Sequence, residues 1–174
     1  MKDASFFLAF FAAFWHNENM TDYTELQDNL EAVTEDVPHL IANLANASAY
    51  IYEALPDLNW CGFYLTEGEK LVLGPFQGRA ACVEIPYGKG VCGTAALKDE
   101  TLLVENVHDY DGHIACDCAS NSEIVVPLHD PEGTVFGVLD IDSPLFSRFT
   151  QEDRTGLEGC VRVLEKTLFG DRKA

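Results

Sequence analysis

Six cysteines, at positions 61, 82, 92, 116, 118 and 160, are the residues of this chain best suited to chemistry. A domain of 174 residues can bury about two thirds of its unfolded surface, so it needs neither disulfides nor a structural metal to fold. In a reducing compartment, cysteines beyond that need call for a redox or metal explanation. Cys82 precedes Cys92 by ten residues, Cys116 follows it by 24, and the sequence has no CxxC pair. A paired-cysteine zinc site therefore lacks its usual spacing, and only His113, Cys116 and Cys118 cluster locally. The competing chemistry uses one thiolate to attack an electrophile and a second thiol, distant in sequence but near in space, to convert the product into a disulfide. Cys116 with Cys82 or Cys92 meets that need. Cys61 and Cys160 stand among apolar neighbours and read as small buried hydrophobes.

Carboxylates form the second constellation. Glu123 opens one β-like run, and Asp140 and Asp142 close another in GVLDID. Residues two apart on an extended chain face the same side. Two aspartates so placed raise one another's pKa, and they can either retain a proton near neutrality or bind a cationic group such as an ammonium; a solvated strand end is the plainer alternative. Trp60 and Tyr64, four apart on the run 59–65, also share a face. They could wall a small apolar pocket or simply pack in the core.

The elements that must position these groups follow from periodicity. Apolar residues from 24 to 55 recur at helical spacing, which predicts one long helix or two joined near Pro38. Short β-like runs follow at 60–65, 70–74, 80–85, 102–104, 123–128 and 134–140. The tight connections at 66–69 and 129–133 suit antiparallel hairpins. Residues 90–98 can form a short helix between strands, and 150–168 carries a helical stripe with Thr150 as cap and Asp153 three residues on. The expectation is an α+β domain, a mainly antiparallel sheet with helices on one face. Long connections near Gly88 and at 109–121 would cover the other.

Twenty-nine acidic against eleven basic residues give a formal charge of −18, which repels phosphate backbones and anionic lipid surfaces. Nucleic-acid and membrane partners are therefore not expected. Residues 6–15 read FFLAFFAAFW, an apolar run resembling the centre of a signal peptide. Asp3 offsets Lys2, no small-x-small cleavage site follows, and ten apolar residues are too few to span a bilayer. A translated upstream region before a start at Met20 is the preferred reading over a signal-like segment. It leaves residues 1–19 as an extension, 20–174 as one domain and the cytoplasm as the expected location. Dimerisation is left open, and a homodimer is compatible with the sequence.

Taken together, NWCGFYL, ACVEIPYGKGVCGTA, VHDYDGHIACD, SNSEIVVPL and GVLDIDS followed by FSRFTQED closely resemble free methionine-R-sulfoxide reductases, over about residues 25 to 168. The resemblance implies a GAF fold, with a six-stranded antiparallel sheet, N- and C-terminal helices on one face and a small closed pocket on the other. It implies Cys116 as nucleophile, Cys82 as the main resolving cysteine and Cys92 as an auxiliary one. Trp60, Tyr64, Glu123, Asp140 and Asp142 match pocket residues, with Glu123 or Asp142 protonating the sulfoxide oxygen. It also implies a free amino-acid substrate, thioredoxin as recycling partner with NADPH as ultimate reductant, and no metal or organic cofactor. Cys118 departs from the pattern, which commonly has a small non-thiol residue there; a strained bond between Cys116 and Cys118 is the alternative this raises. The non-enzymatic alternatives are a GAF small-ligand sensor and a redox-sensing or zinc-binding protein.

Overall fold

The computed structural model describes residues 21–112 and 118–170. The helical stripe at 24–55 becomes two helices, α1 (Tyr23–Thr34) and α2 (Leu40–Ala54). The Asp22 side chain caps α1 by accepting from the backbone N–H groups of Thr24 and Glu25. The break falls just after Thr34, where Asp36 takes a positive φ of 58° and Pro38 lacks the N–H that a continuous helix requires. There follow β1 (Trp60–Glu67), β2 (Lys70–Gly78), β3 (Glu84–Pro86), α3 (Gly90–Lys98), β4 (Leu102–Val104), a 3-10 turn (Val107–Asp109), β5 (Ser122–His129), β6 (Val135–Ser143) and α4 (Gln151–Phe169).

The six strands form one sheet in the order β3-β2-β1-β6-β5-β4, and every pairing is antiparallel. The expected α+β class holds. β2 runs on to Gly78, past the expected stop at Gly74-Pro75, because β3 pairs only with residues 70–72. Pro75 therefore faces an edge with no partner strand, where its missing N–H costs nothing, and the ladder with β1 absorbs the irregularity between Gly62 and Tyr64. β3 is correspondingly shorter than the expected 80–85.

Helices α1, α2 and α4 bury Leu26, Leu30, Leu44, Ile51, Leu157 and Leu164 against Phe63, Ile124, Leu139 and Ile141 on one face of the sheet. Each such side chain removed from water contributes about 1.5–3 kcal/mol, which fixes this face as the main core. Cys61 and Cys160 are buried in it, as their apolar neighbours predicted. The short helix α3 does not join the others. It lies on the opposite face, packing Val91, Cys92, Ala95 and Ala96 with Leu71, Val125 and Val138. Gly93 permits that approach, since a Cβ there would stand 2.3 Å from the Pro86 carbonyl oxygen. None of the helices among the described residues is long and apolar enough to cross a membrane.

Candidate active site

Strand register builds the site. Trp60 on β1 lies opposite Asp142 on β6, which lies opposite Glu123 on β5; one pleat on, Gly62 lies opposite Asp140, which faces Val125. The period of two then puts Trp60, Tyr64, Glu123, Asp140 and Asp142 on the face that carries α3. Glu123 and Asp140 are each only 6% exposed, whereas Asp142, nearer the strand end, is partly exposed. A solvated strand end is thereby excluded for Asp140.

Cys92, in the first turn of α3, points its thiol at Glu123, donating to Oε1 at 3.6 Å. The thiol and a carboxylate oxygen from each of Glu123 and Asp140 lie within 4.8 Å of one another, and among the described residues this group alone is spaced to hold a metal ion. Sharing a dry space raises the pKa of all three acids. Burial first, and then the charges of Asp140 and Asp142, push Glu123 well above the usual carboxylate range. Burial raises Asp140 to about 6, against the lowering effect of its bonds to Cys92 and Glu123. Burial and the same carboxylates push the Cys92 thiol up too, although the first turn of a helix ordinarily favours a thiolate. Among the described residues, Asp140 Oδ1 is buried without a hydrogen-bond partner. A carboxylate oxygen left so inside a protein costs about 1–3 kcal/mol and calls for an explanation.

Aromatic rings wall the space. Trp60 stacks on Phe76 at 5.2 Å and 14° and lies 5.8 Å from Tyr64 at 27°. Gly62 makes room for this stack, since a Cβ there would come within 2.8 Å of the Trp60 ring. Both rings have polar tips aimed at the β2–β3 connection: Trp60 Nε1 donates to the Arg79 carbonyl and the Tyr64 hydroxyl to the Cys82 carbonyl, each at 3.0 Å. Cys82, partly exposed on that connection, is disulfide-bonded. Cys92 carries a free thiol, as does exposed Cys118, so the alternative bond between Cys116 and Cys118 is not formed. Cys116 itself, expected as the nucleophile, and His113 lie outside the described residues.

Polar groups bind the segment that follows residue 117 to the sheet. Asn59 Nδ2 donates to Ser120 Oγ at 3.0 Å, Asn121 Nδ2 donates to the Pro144 carbonyl at 2.7 Å, and the Asn121 backbone N–H donates to the Ser143 carbonyl at 2.8 Å. Sequence reasoning assigned roles to neither Asn59 nor Asn121. Their only signal was the presence of polar residues on both sides of strand starts, which is common. The Cys92–Glu123 contact was equally hidden, because it depends on which face α3 takes.

Comparison with known proteins identifies the fold. The GAF domain family matches residues 25–168. Free methionine-R-sulfoxide reductase of Escherichia coli K12 is 54% identical over 146 residues, covering 84% of this chain and 88% of its own. The structure of fRMsr of Staphylococcus aureus in its reduced form superposes with a TM-score of 0.83 at 50% identity, covering 86% of this chain and 97% of that one. Free methionine-R-sulfoxide reductase of Neisseria meningitidis, solved in complex with its substrate, gives 0.80 at 43% identity, with 84% and 87% covered.

Proposed function

Because the chain belongs to the free methionine-R-sulfoxide reductase family, on a GAF domain, we propose that it reduces free L-methionine-(R)-S-oxide to L-methionine with Cys116 as nucleophile. The observation that carries this reading is the buried acid pair Glu123 and Asp140 behind the Trp60 wall, one oxygen of which has no partner among the described residues. The substrate's ammonium gives Asp140 Oδ1 the donor it lacks, and a methionine inside a polypeptide has no such charge to offer. Asp142 flanks the same position and Trp60 and Tyr64 receive the methylthio group.

In the proposed reaction Cys116 sulfur attacks the sulfoxide sulfur while Glu123, kept protonated by burial, donates to the sulfoxide oxygen; Asp142 is the other candidate donor. The oxygen passes to Cys116 as sulfenic acid and methionine leaves. A second thiol attacks that sulfenic sulfur, expels water and forms a disulfide. The bonded state of Cys82 and the free thiols of Cys61, Cys92, Cys118 and Cys160 support Cys82 as this thiol, with Cys92 in reserve. Thioredoxin then reopens the disulfide by exchange, drawing on NADPH in the cytoplasm, and the chemistry calls for no metal or organic cofactor.

The test follows NADPH loss with thioredoxin and thioredoxin reductase on the free R epimer, the free S epimer and a peptide-bound sulfoxide. Turnover confined to the free R epimer, and lost in Cys116→Ser, is expected. A wild-type protein that consumes nothing would sink the reading.

A further inference from the structure

The triad of Cys92, Glu123 and Asp140 also has the donor set and spacing of a cation site. A tetrahedral zinc ion with sulfur at about 2.3 Å and oxygen at about 2.1 Å holds those two ligands about 3.6 Å apart. Cys92 Sγ and Glu123 Oε1 stand 3.6 Å apart, and the Asp140 carboxylate lies within 4.8 Å of both. A second observation is independent of that spacing: Asp140 Oδ1, more than nine-tenths buried, has no donor among the described residues. Hydrogen bonds among the three residues do not satisfy it, whereas a cation would. The sulfur is available, since Cys92 remains a free thiol while Cys82 is disulfide-bonded.

We propose that the substrate-free protein binds a thiophilic divalent cation, zinc foremost, through Cys92 Sγ and the carboxylates of Glu123 and Asp140, and that this cation excludes the substrate's ammonium and the Cys92 thiol from turnover. The exclusion rests on the reductase reading; the binding does not. Coordination replaces the thiol proton by the metal, releasing one proton from Cys92 and a second where Glu123 still holds its own, and no electrons move. One soft sulfur beside two hard oxygens selects zinc, cadmium or cobalt over magnesium and calcium.

The experiment titrates the full chain, reduced and freed of reductant and chelator, with cobalt(II), following the thiolate-to-cobalt charge-transfer absorption and then its loss as zinc displaces cobalt. One equivalent is expected. The absorption should vanish in Cys92→Ser, persist in Cys118→Ser, and require at least about tenfold more cobalt in Asp140→Asn and Glu123→Gln. Calorimetry with zinc in buffers of different ionisation enthalpy should count one to two protons released. An absorption that survives in Cys92→Ser at unchanged affinity, or that disappears in Cys118→Ser, overturns the site. With the site established, zinc should inhibit reduction competitively with free methionine sulfoxide and a chelator should restore it; undiminished turnover in saturating zinc overturns the exclusion. A chain that binds cobalt through Cys92 but reduces no sulfoxide would leave the metal site standing and fell the reductase reading instead.

Discussion

Asp140 and Glu123 are acids placed where only their neutral forms are comfortable, and that placement sets reactivity against stability. An acid whose pKa is higher in the folded than in the unfolded chain stabilises the fold below its unfolded pKa and loses that contribution as pH rises to the folded value. For Asp140, raised from 3.8 to about 6, the window lies between those figures, and the cost above it approaches about 3 kcal/mol at 1.36 kcal/mol per unit. Asp140→Asn should therefore be more stable than wild type in urea at pH 8, by as much as about 3 kcal/mol, with the gain gone below pH ~4. Its KM for the free amino acid should rise at least about tenfold, since the ammonium loses its charged partner. Unchanged urea midpoints at pH 8 would show that Asp140 carries no such burden. Glu123→Gln keeps the shape and removes the acid, so kcat should fall about 10²- to 10³-fold with a much smaller change in KM; in wild type, activity should decline on the alkaline side as Glu123 gives up its proton. The residue types and their shared face were legible in GVLDID and SNSEI, because a strand's period of two is a local property. The burial that raises these pKa values was not legible, since α3 creates it from a distant part of the chain.

Helix α4 shows how far local signals reach. Thr150 and Asp153 form the capping box their spacing predicted, with Thr150 Oγ1 accepting from the Asp153 N–H and the Asp153 carboxylate accepting from the Thr150 N–H at 2.7 Å. The same carboxylate, though buried, accepts from the Tyr23 hydroxyl 130 residues away at 2.7 Å and pairs with Arg148 at 3.4 Å. Burial pushes Asp153 up, but these bonds and the Arg148 charge outweigh it and hold the group below its usual range. Asp153→Ala removes half of the capping box and strands the half-buried Tyr23 hydroxyl, and should lower the unfolding free energy by about 2 kcal/mol. Asp153 belongs to the helical face away from the site, so kcat and KM measured well below the lowered melting temperature should match wild type; a change in KM would mean that the two faces communicate. The cap was readable because its partners lie three residues apart, whereas Tyr23 was not. The over-long prediction for β3 has the same cause. Trp60 and Tyr64 hydrogen-bond the carbonyls of Arg79 and Cys82, so side chains take acceptors that a ladder would otherwise use, and no sequence period reports that.

At the scale of the whole molecule, His129 ties the two faces of the sheet together. Standing at the end of β5, it places Nε2 2.6 Å from Asp99, the residue that terminates α3, and Nδ1 2.7 Å from Glu165 on α4. Burial lowers the His129 pKa, but the bonds to Asp99 and Glu165 more than offset this and leave it above the ordinary value. A raised histidine stabilises the fold below about pH 6.5 and loses that contribution as pH climbs through the folded value. Partial exposure and screening hold the effect to about 1 kcal/mol or less. The window lies above that of Asp140, so the two can be separated by pH. The net charge of −18, evident from composition alone, adds self-repulsion, which the loss of a histidine's positive charge aggravates and salt relieves. Wild-type melting temperature should thus fall from pH 6 to pH 9, while His129→Gln should melt lower at pH 6 and change less over the same range. Curves for the two proteins that run parallel from pH 6 to 9 would move the source of the decline away from the Asp99–His129–Glu165 tie. A decline abolished equally in both by half-molar salt would assign it to the acidic surface as a whole.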